Sequence, residues 1–320
     1  MTRDETRFSP NVGSLYSFVE TSGWTINATN CTFHANGGIT SNYNWDFTGY
    51  SQLQWYESGT WHDLSTEKSG YYGGYGDKVY DSIDSYFNRR SVDRTVRVGN
   101  YAHAYVNLTS SSARAYIEYI VPALPPDAGT LTATRNSDTS VALAWSEASG
   151  VKEYVRVERS TDGAAFSEIA SISGSAVSYT DSTTSADHTY AYRIRYYNKN
   201  AYGAYSPSAS VTMSPSAPSN ISLERADATN VSVTLANTSA VATSVEWQAS
   251  YDGGATWSAS STVEGSPVTS FVANTSGGTV IIRVRNVNET GSSAWLTSGS
   301  IVTIRLLPLL RSCLLLGCST

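Results

Sequence analysis

Val141-Ala142-Leu143-Ala144-Trp145 sets a large apolar residue at every second position, and 90 residues on Val231-Ser232-Val233-Thr234-Leu235 repeats the pattern. Period-two alternation marks a strand with one face buried. Two further matches fall at the same spacing. Ser160-Thr161-Asp162-Gly163 answers Ser250-Tyr251-Asp252-Gly253, and Arg193-Ile194-Arg195 answers Arg283-Val284-Arg285, with Asn198 answering Asn288. The Asp-Gly pairs supply the positive-φ residue of a tight hairpin. Several matches at one spacing identify a duplicated all-β unit.

Working outward, Pro122-Ala123-Leu124-Pro125-Pro126 and Pro215-Ser216-Ala217-Pro218 bound the two copies. Proline lacks an amide donor and fixes φ, so neither stretch continues a central strand. The pieces are 1–122, 126–213 and 216–304, followed by a tail at 305–320. A chain of 320 residues accommodates three sandwich domains of about 100 residues each. The expected fold is all-β, three β-sandwiches in tandem.

Residues 126–213 resemble a fibronectin type III domain. Trp145 stands where that family places its strand-B core tryptophan. Tyr154–Gly163 is similar to its strand C and following turn, and Thr189–Ile194 to its strand F, with Tyr190 as the tyrosine-corner residue. Residues 216–304 resemble the same family less closely. Leu235 replaces the tryptophan and Val280 stands at the corner position; an immunoglobulin-like description fits this piece equally. The resemblance implies two seven-stranded sandwiches, with Trp145, Val157, Tyr190, Tyr192 and Ile194 buried in one and Leu235, Trp247 and Ile282 in the other.

The N-terminal piece reads as a divergent third sandwich. Gln54–Trp61 is a strand, a Ser-Gly turn and a second strand, and Ala115–Val121 is a closing strand. Residues 1–20 read as an extended polar arm without a strand partner. Val79, Ile83 and Phe87 share one helical face, which predicts a short helix. Between these lies a Tyr/Gly insertion, Tyr71-Tyr72-Gly73-Gly74-Tyr75-Gly76.

Leucine occurs ten times before residue 305 and seven times after it. The tail is too short for a membrane span of about 20 apolar residues and is broken by Pro308 and Arg311. It reads as a segment from another frame or an anchor buried in a partner. Cys31, Cys313 and Cys318 make no disulfide framework. Met1–Arg7 leads into no apolar run, so a secretory signal is not expected there.

The chemistry-bearing residues are sparse. His34, His62, His103 and His188 show no metal-ligand spacing, and no nucleophile elbow or phosphate loop is present. Asp81 and Asp84 would share a helical face as solvated carboxylates. No catalytic residue, metal site or cofactor is expected. The net charge is −6, without the basic footprint of a nucleic-acid binder. Ser250–Trp257 matches an Asp-box, a structural hairpin in sialidase-like propellers, with a degenerate copy at Ser160–Phe166. Here it reads as a turn capped by Asp252, with Trp257 packed beneath. The contact residues expected for a glycan or protein partner are Tyr71, Tyr72 and Tyr75, whose rings are flat and amphipathic. Trp45, Trp55 and Trp61 are assigned to the core.

Two type III-like modules, a divergent β domain and no catalytic set together resemble a tailed-phage virion protein of the tail, neck or fibre type. That resemblance implies assembly in the host cytoplasm into the virion, docking by residues 1–122 to other virion proteins and to copies of the same chain, and weak contacts of the outer modules with host-surface glycans. The alternative is a bacterial surface or secreted adhesin that binds polysaccharide. A third class, an accessory segment of a glycoside hydrolase, would need a catalytic domain beyond this chain.

Overall fold

The computed structural model describes residues 1–8, 15–42, 47–72, 74, 76–106, 109–275 and 278–303. Tyr75, Trp45, Cys313, Cys318 and the tail at 305–320 lie outside them. Every regular element described is a strand.

The N-terminal domain contains β1 (Thr2–Arg7), β2 (Leu15–Ile26), β3 (Asn30–Ser41), β4 (Phe47–Glu57), β5 (Thr60–Asp63), β6 (Lys68–Tyr72), β7 (Gly76–Asn88), β8 (Arg94–Val106) and β9 (Thr109–Val121). Sheet I has the order β1-β2-β3-β7; sheet II has the order β5-β4-β8-β9, with β6 also on β4. Their inner faces meet in a core that includes Val19, Phe33, Leu53, Phe87, Val98 and Ile117. A second cluster around Phe8, Leu15, Ile39, Phe47 and Ala102 continues it.

Three expectations are corrected here. The expected arm is part of the sheet: β1 pairs with β2 from Thr2↔Thr21 to Arg7↔Tyr16. Its charges are those of a protected edge strand. Arg3 reaches Asp77 at 2.7 Å and lies 4.2 Å over the Phe18 ring. The expected helix at Val79–Phe87 is the interior of β7. A spacing of four residues satisfies a helix and a strand alike, because four is a multiple of two. A bulge opposite Gly37/Gly38 then turns Val79 outward while Phe87 stays buried. As a strand, β7 also sets Asp81 and Asp84 on opposite faces. The Tyr/Gly stretch is no long insertion, since Tyr71 and Tyr72 end β6 and Gly76 begins β7.

The second domain comprises β10 (Leu131–Ser137), β11 (Ser140–Trp145), β12 (Tyr154–Thr161), β13 (Ser167–Ser173), β14 (Ser178–Asp181), β15 (Thr189–Asn198), β16 (Ala201–Tyr202) and β17 (Ala209–Thr212). Sheet β10-β11-β14 packs on β13-β12-β15-β16, with β17 also on β15. This is the three-plus-four order of a type III sandwich, the seventh strand being split around Pro207 into β16 and β17. Trp145, Val157, Tyr190, Tyr192 and Ile194 are all buried. The Tyr190 hydroxyl accepts the Ser185 N–H at 3.1 Å, closing the tyrosine corner.

The third domain repeats this with β18 (Asn220–Arg225), β19 (Asn230–Ala236), β20 (Ser244–Ser250), β21 (Ser261–Glu264), β22 (Ser270–Asn274), β23 (Gly278–Asn288), β24 (Gly291–Ser292), β25 (Leu296–Thr297) and β26 (Ile301–Thr303). Sheet β18-β19-β22 faces β21-β20-β23, and the seventh strand is split into three pieces along β23. Leu235, Val280 and Ile282 are buried. Trp247 is only half-buried: it takes the position of fully buried Val157, and its larger ring packs on Phe271 at 5.9 Å with part left accessible.

The linkers are packed rather than free. Arg89 is buried at the first joint and donates to the carbonyls of Pro122 (3.0 Å), Ala123 (2.5 Å) and Asn198 (2.8 Å). It also donates to Asn27 at 3.0 Å and Lys199 at 2.5 Å. One guanidinium thus ties the first domain, the linker and the second domain together.

Candidate functional site

Sheet II buries its odd-numbered β4 residues and turns the even ones outward. Register then brings together residues far apart in sequence. Tyr71 on β6 pairs with Thr48, which pairs with Tyr105. Tyr50 pairs with His103, and Gln52 with Tyr101, which pairs with Arg114. Gln54 pairs with Gly99, and Gly99 with Tyr116; Trp61 pairs with Tyr56, and Tyr56 with Arg97. The outer face of this sheet is therefore a continuous field of aromatic rings set with cations.

The rings and cations interlock. Tyr50 and His103 lie 4.5 Å apart, and His103 and Tyr105 5.9 Å apart. Arg97 sits 5.1 Å over Tyr56 and 4.7 Å over Tyr116, and is paired with Glu118 at 2.6 Å. Arg114 is held between Trp61 at 4.5 Å and Tyr101 at 4.8 Å. It donates to the Gln54 Oε1 at 3.0 Å, and Gln54 donates on to Asp63 at 2.8 Å. No described carboxylate pairs with Arg114. Burial pulls its pKa down, and its Nε is buried without a partner. Gly99 makes the arrangement possible: a Cβ there would stand 2.8 Å from the Trp61 ring.

Of the contact residues expected from sequence, Tyr71 is strongly exposed on this face. Tyr72 ends β6 opposite Phe47, and Tyr75 is outside the described residues. Sequence reading missed Tyr50, Tyr101, Tyr105, Arg114 and Tyr116; their alternation with small or buried residues along β4, β8 and β9 was the available signal. It also placed Trp61 in the core, whereas the ring lies on the outer face. Trp55, on the opposite parity, does pack against the core.

On sheet I, His34 bonds Asp84 at 2.8 Å and Ser82 Oγ lies 3.2 Å from its other ring nitrogen. The connectivity is that of a Ser-His-Asp relay, but the setting is not. Asp84 is 90% exposed, and Asn36 shares the same ring nitrogen at 3.1 Å. Backbone N–H groups of a sheet lie in its plane, so none is aimed above this face to hold an oxyanion. Among the described residues no group of three His, Cys, Asp or Glu side chains could hold a metal, and no helix is long and apolar enough to cross a membrane.

The Asp-box is a turn. Asp252 accepts from Thr256 N–H at 2.9 Å, Thr256 Oγ1 at 2.6 Å and Ser250 Oγ at 2.8 Å. These bonds, the Thr256 hydroxyl first, hold its carboxyl well below the usual range. Trp257 lies 4.3 Å from Arg283, and its ring borders the turn, where a Cβ on Gly254 would stand 3.7 Å from it.

The chain is thus a tandem β-sandwich protein with two fibronectin type III-like modules behind a divergent β domain. No family model and no curated protein matches it. Among solved structures it is similar to a two-domain fibronectin type III segment of chicken tenascin, at 15% identity over 56% of this chain and 99% of that one, with a TM-score of 0.35. It is also similar to the FN1–FN3 domains of chicken CNTN1, at 14% identity over 90% and 97%, with a TM-score of 0.31.

Proposed function

We propose that the chain is a non-enzymatic virion structural protein of a tailed phage, of the tail, neck or fibre type. Residues 1–122 dock on other virion proteins and on copies of the chain, and the modules at 126–213 and 216–304 project toward the host surface. The outer face of sheet II is the observation that carries this reading. Tyr, Trp and Arg are the residues that dominate protein interfaces, and here they form one field. Arg114, with no carboxylate of its own, fits an acidic residue of the partner. Contact therefore falls to the sheet face, with Tyr71 at its end, and not to the arm. Many copies then act together through effective concentration, so each host contact can be weak.

The second reading is a surface or secreted adhesin that binds polysaccharide, which the same exposed rings favour because a sugar's apolar face also stacks on them. Truncation separates the two. A chain lacking 1–122 should fold but fail to join the particle, while one lacking 216–320 should still be incorporated. The reverse pattern would overturn the orientation. Retention on a polysaccharide matrix without particle incorporation would favour the adhesin.

A further inference from the structure

The second and third domains carry similar rows of arginines and aromatic rings on the outer face of the larger sheet, and differ in where the carboxylate stands, at Glu158 in one and Glu246 in the other. In the second domain Arg193 lies 3.6 Å over Tyr205 and 4.3 Å over Phe166, and Arg195 lies 4.5 Å over Tyr205. Both arginines share Glu158, at 2.7 and 3.4 Å, and the Tyr205 hydroxyl donates to it at 2.7 Å. Each of the two arginines thus has a carboxylate partner, the single Glu158.

In the third domain Arg283, Arg285 and Trp295 stand 90 residues after Arg193, Arg195 and Tyr205, but Gln248 stands 90 residues after Glu158. Arg285 keeps a carboxylate of its own, Glu246, at 2.6 Å. Arg283 has none among the described residues. Its Nε and Nη2 both donate to the neutral Gln248 Oε1, the first at 2.8 Å. Gln248 is oriented by its own donation to Ser260 at 3.0 Å. Arg283 is flanked by two indoles, Trp257 at 4.3 Å and Trp295 at 4.5 Å. Its Nη1 makes no hydrogen bond within the described residues.

We propose that Trp257, Arg283 and Trp295 form a binding row for an acidic polysaccharide, whose carboxylate pairs with Arg283 and whose sugar rings lie against the indoles. A guanidinium fits a carboxylate through parallel hydrogen bonds. The flanking aromatic surfaces fit the apolar faces of sugar rings. An open sheet face receives a polymer laid across it, whereas a small ligand needs an enclosing cavity. One uncompensated cation in a chain of net charge −6 suits contact with a single carboxylate and not nucleic acid, which needs many cations. The site is separate from sheet II and stands or falls independently of what the N-terminal domain docks on.

The test is affinity electrophoresis of the full chain through gels containing polygalacturonate, alginate or hyaluronate, with dextran and poly-glutamate as controls. The native chain should be retarded by at least one acidic polysaccharide, and by neither control. Gln248→Glu installs the carboxylate that the second domain already holds. It should weaken retardation at least tenfold while leaving the melting temperature unchanged or raised, and Arg283→Gln should weaken it similarly. Retardation by none of the three polysaccharides overturns the proposal. So does retardation that Gln248→Glu leaves intact, retardation by dextran of equal strength, or equal binding of poly-glutamate, which would assign the row to an acidic protein.

Discussion

Asn198 and Asn288 each donate a side-chain amide, at 2.8 Å, to a backbone carbonyl just ahead of their own module: Asn198 to Ala123 and Asn288 to Met213. Donors and acceptors are each 90 residues apart. The end of one central strand thus grips the chain entering its module, and the grip is repeated at both joints. A buried carboxamide of this kind removes the freedom that a proline linker alone would leave.

Asn288→Ala should leave the Met213 carbonyl without its donor and cost about 1–3 kcal/mol; Asn198→Ala should cost less, because Arg89 still donates to the Ala123 carbonyl. Small-angle scattering should show a broader distance distribution for either variant. An unchanged profile and unchanged denaturant midpoint would show that the joints are held by other contacts.

Arg89→Met removes the donor shared by Pro122, Ala123 and Asn198 and should cost at least about 2 kcal/mol. Arg89→Lys should not rescue it, because an ammonium cannot reproduce the planar fork. The readout is urea unfolding of the 1–213 segment, in which the two domains should melt separately once the hub is lost. A single native-like transition in the lysine variant would contradict this.

Trp145→Ala should cost about 3–5 kcal/mol in the isolated 126–213 module. Trp145 is buried, and its indole N–H donates to Ala176 O at 2.9 Å. A change below about 1 kcal/mol would remove it from the core.

Trp55 and Trp61 should separate stability from docking. Trp55→Ala should cost at least about 2 kcal/mol, since the ring packs on the N-terminal core. Trp61→Ala, on the outer face, should cost under about 1 kcal/mol yet impair particle incorporation. Equal stability losses with normal incorporation for Trp61→Ala would exclude sheet II as the docking face.

Asp181 should set the acid limit of the second domain. Burial pushes its carboxyl up, but hydrogen bonds from Thr183, Arg159 and Tyr192 outweigh that and hold it below the usual range. A carboxyl depressed on folding contributes stability that is fully present above its unfolded pKa, about 3.9, and is lost as pH falls through the folded value. Urea titrations of the module should therefore show a loss beginning near pH 4. Asp181→Asn should flatten that limb and cost about 1.5–3 kcal/mol at neutral pH. Identical acid limbs would assign the loss elsewhere.

The sequence by itself determined what is local or repeated. Alternation in Val141–Trp145 and Val231–Leu235 specified strands, the Asp-Gly pairs their turns, and the two proline stretches the breaks between strands. The 90-residue spacing made Trp145 and Leu235 equivalent before any contact was known. These signals are readable because each rests on neighbours one to four residues away or on repetition along the chain. Tertiary structure alone decided the rest. Val79, Ile83 and Phe87 fit either period, and pairing with β3 chose the strand. Trp55 and Trp61 look alike in sequence, but the strands carrying them turn one ring to the core and the other to the surface. The field around Arg114 joins Trp61 and Tyr101 through cross-strand register, and Arg89 reaches the carbonyl of Asn198 across a domain joint. Such contacts arise only when strands distant in the chain are laid side by side, because register, not sequence proximity, determines which side chains share a face.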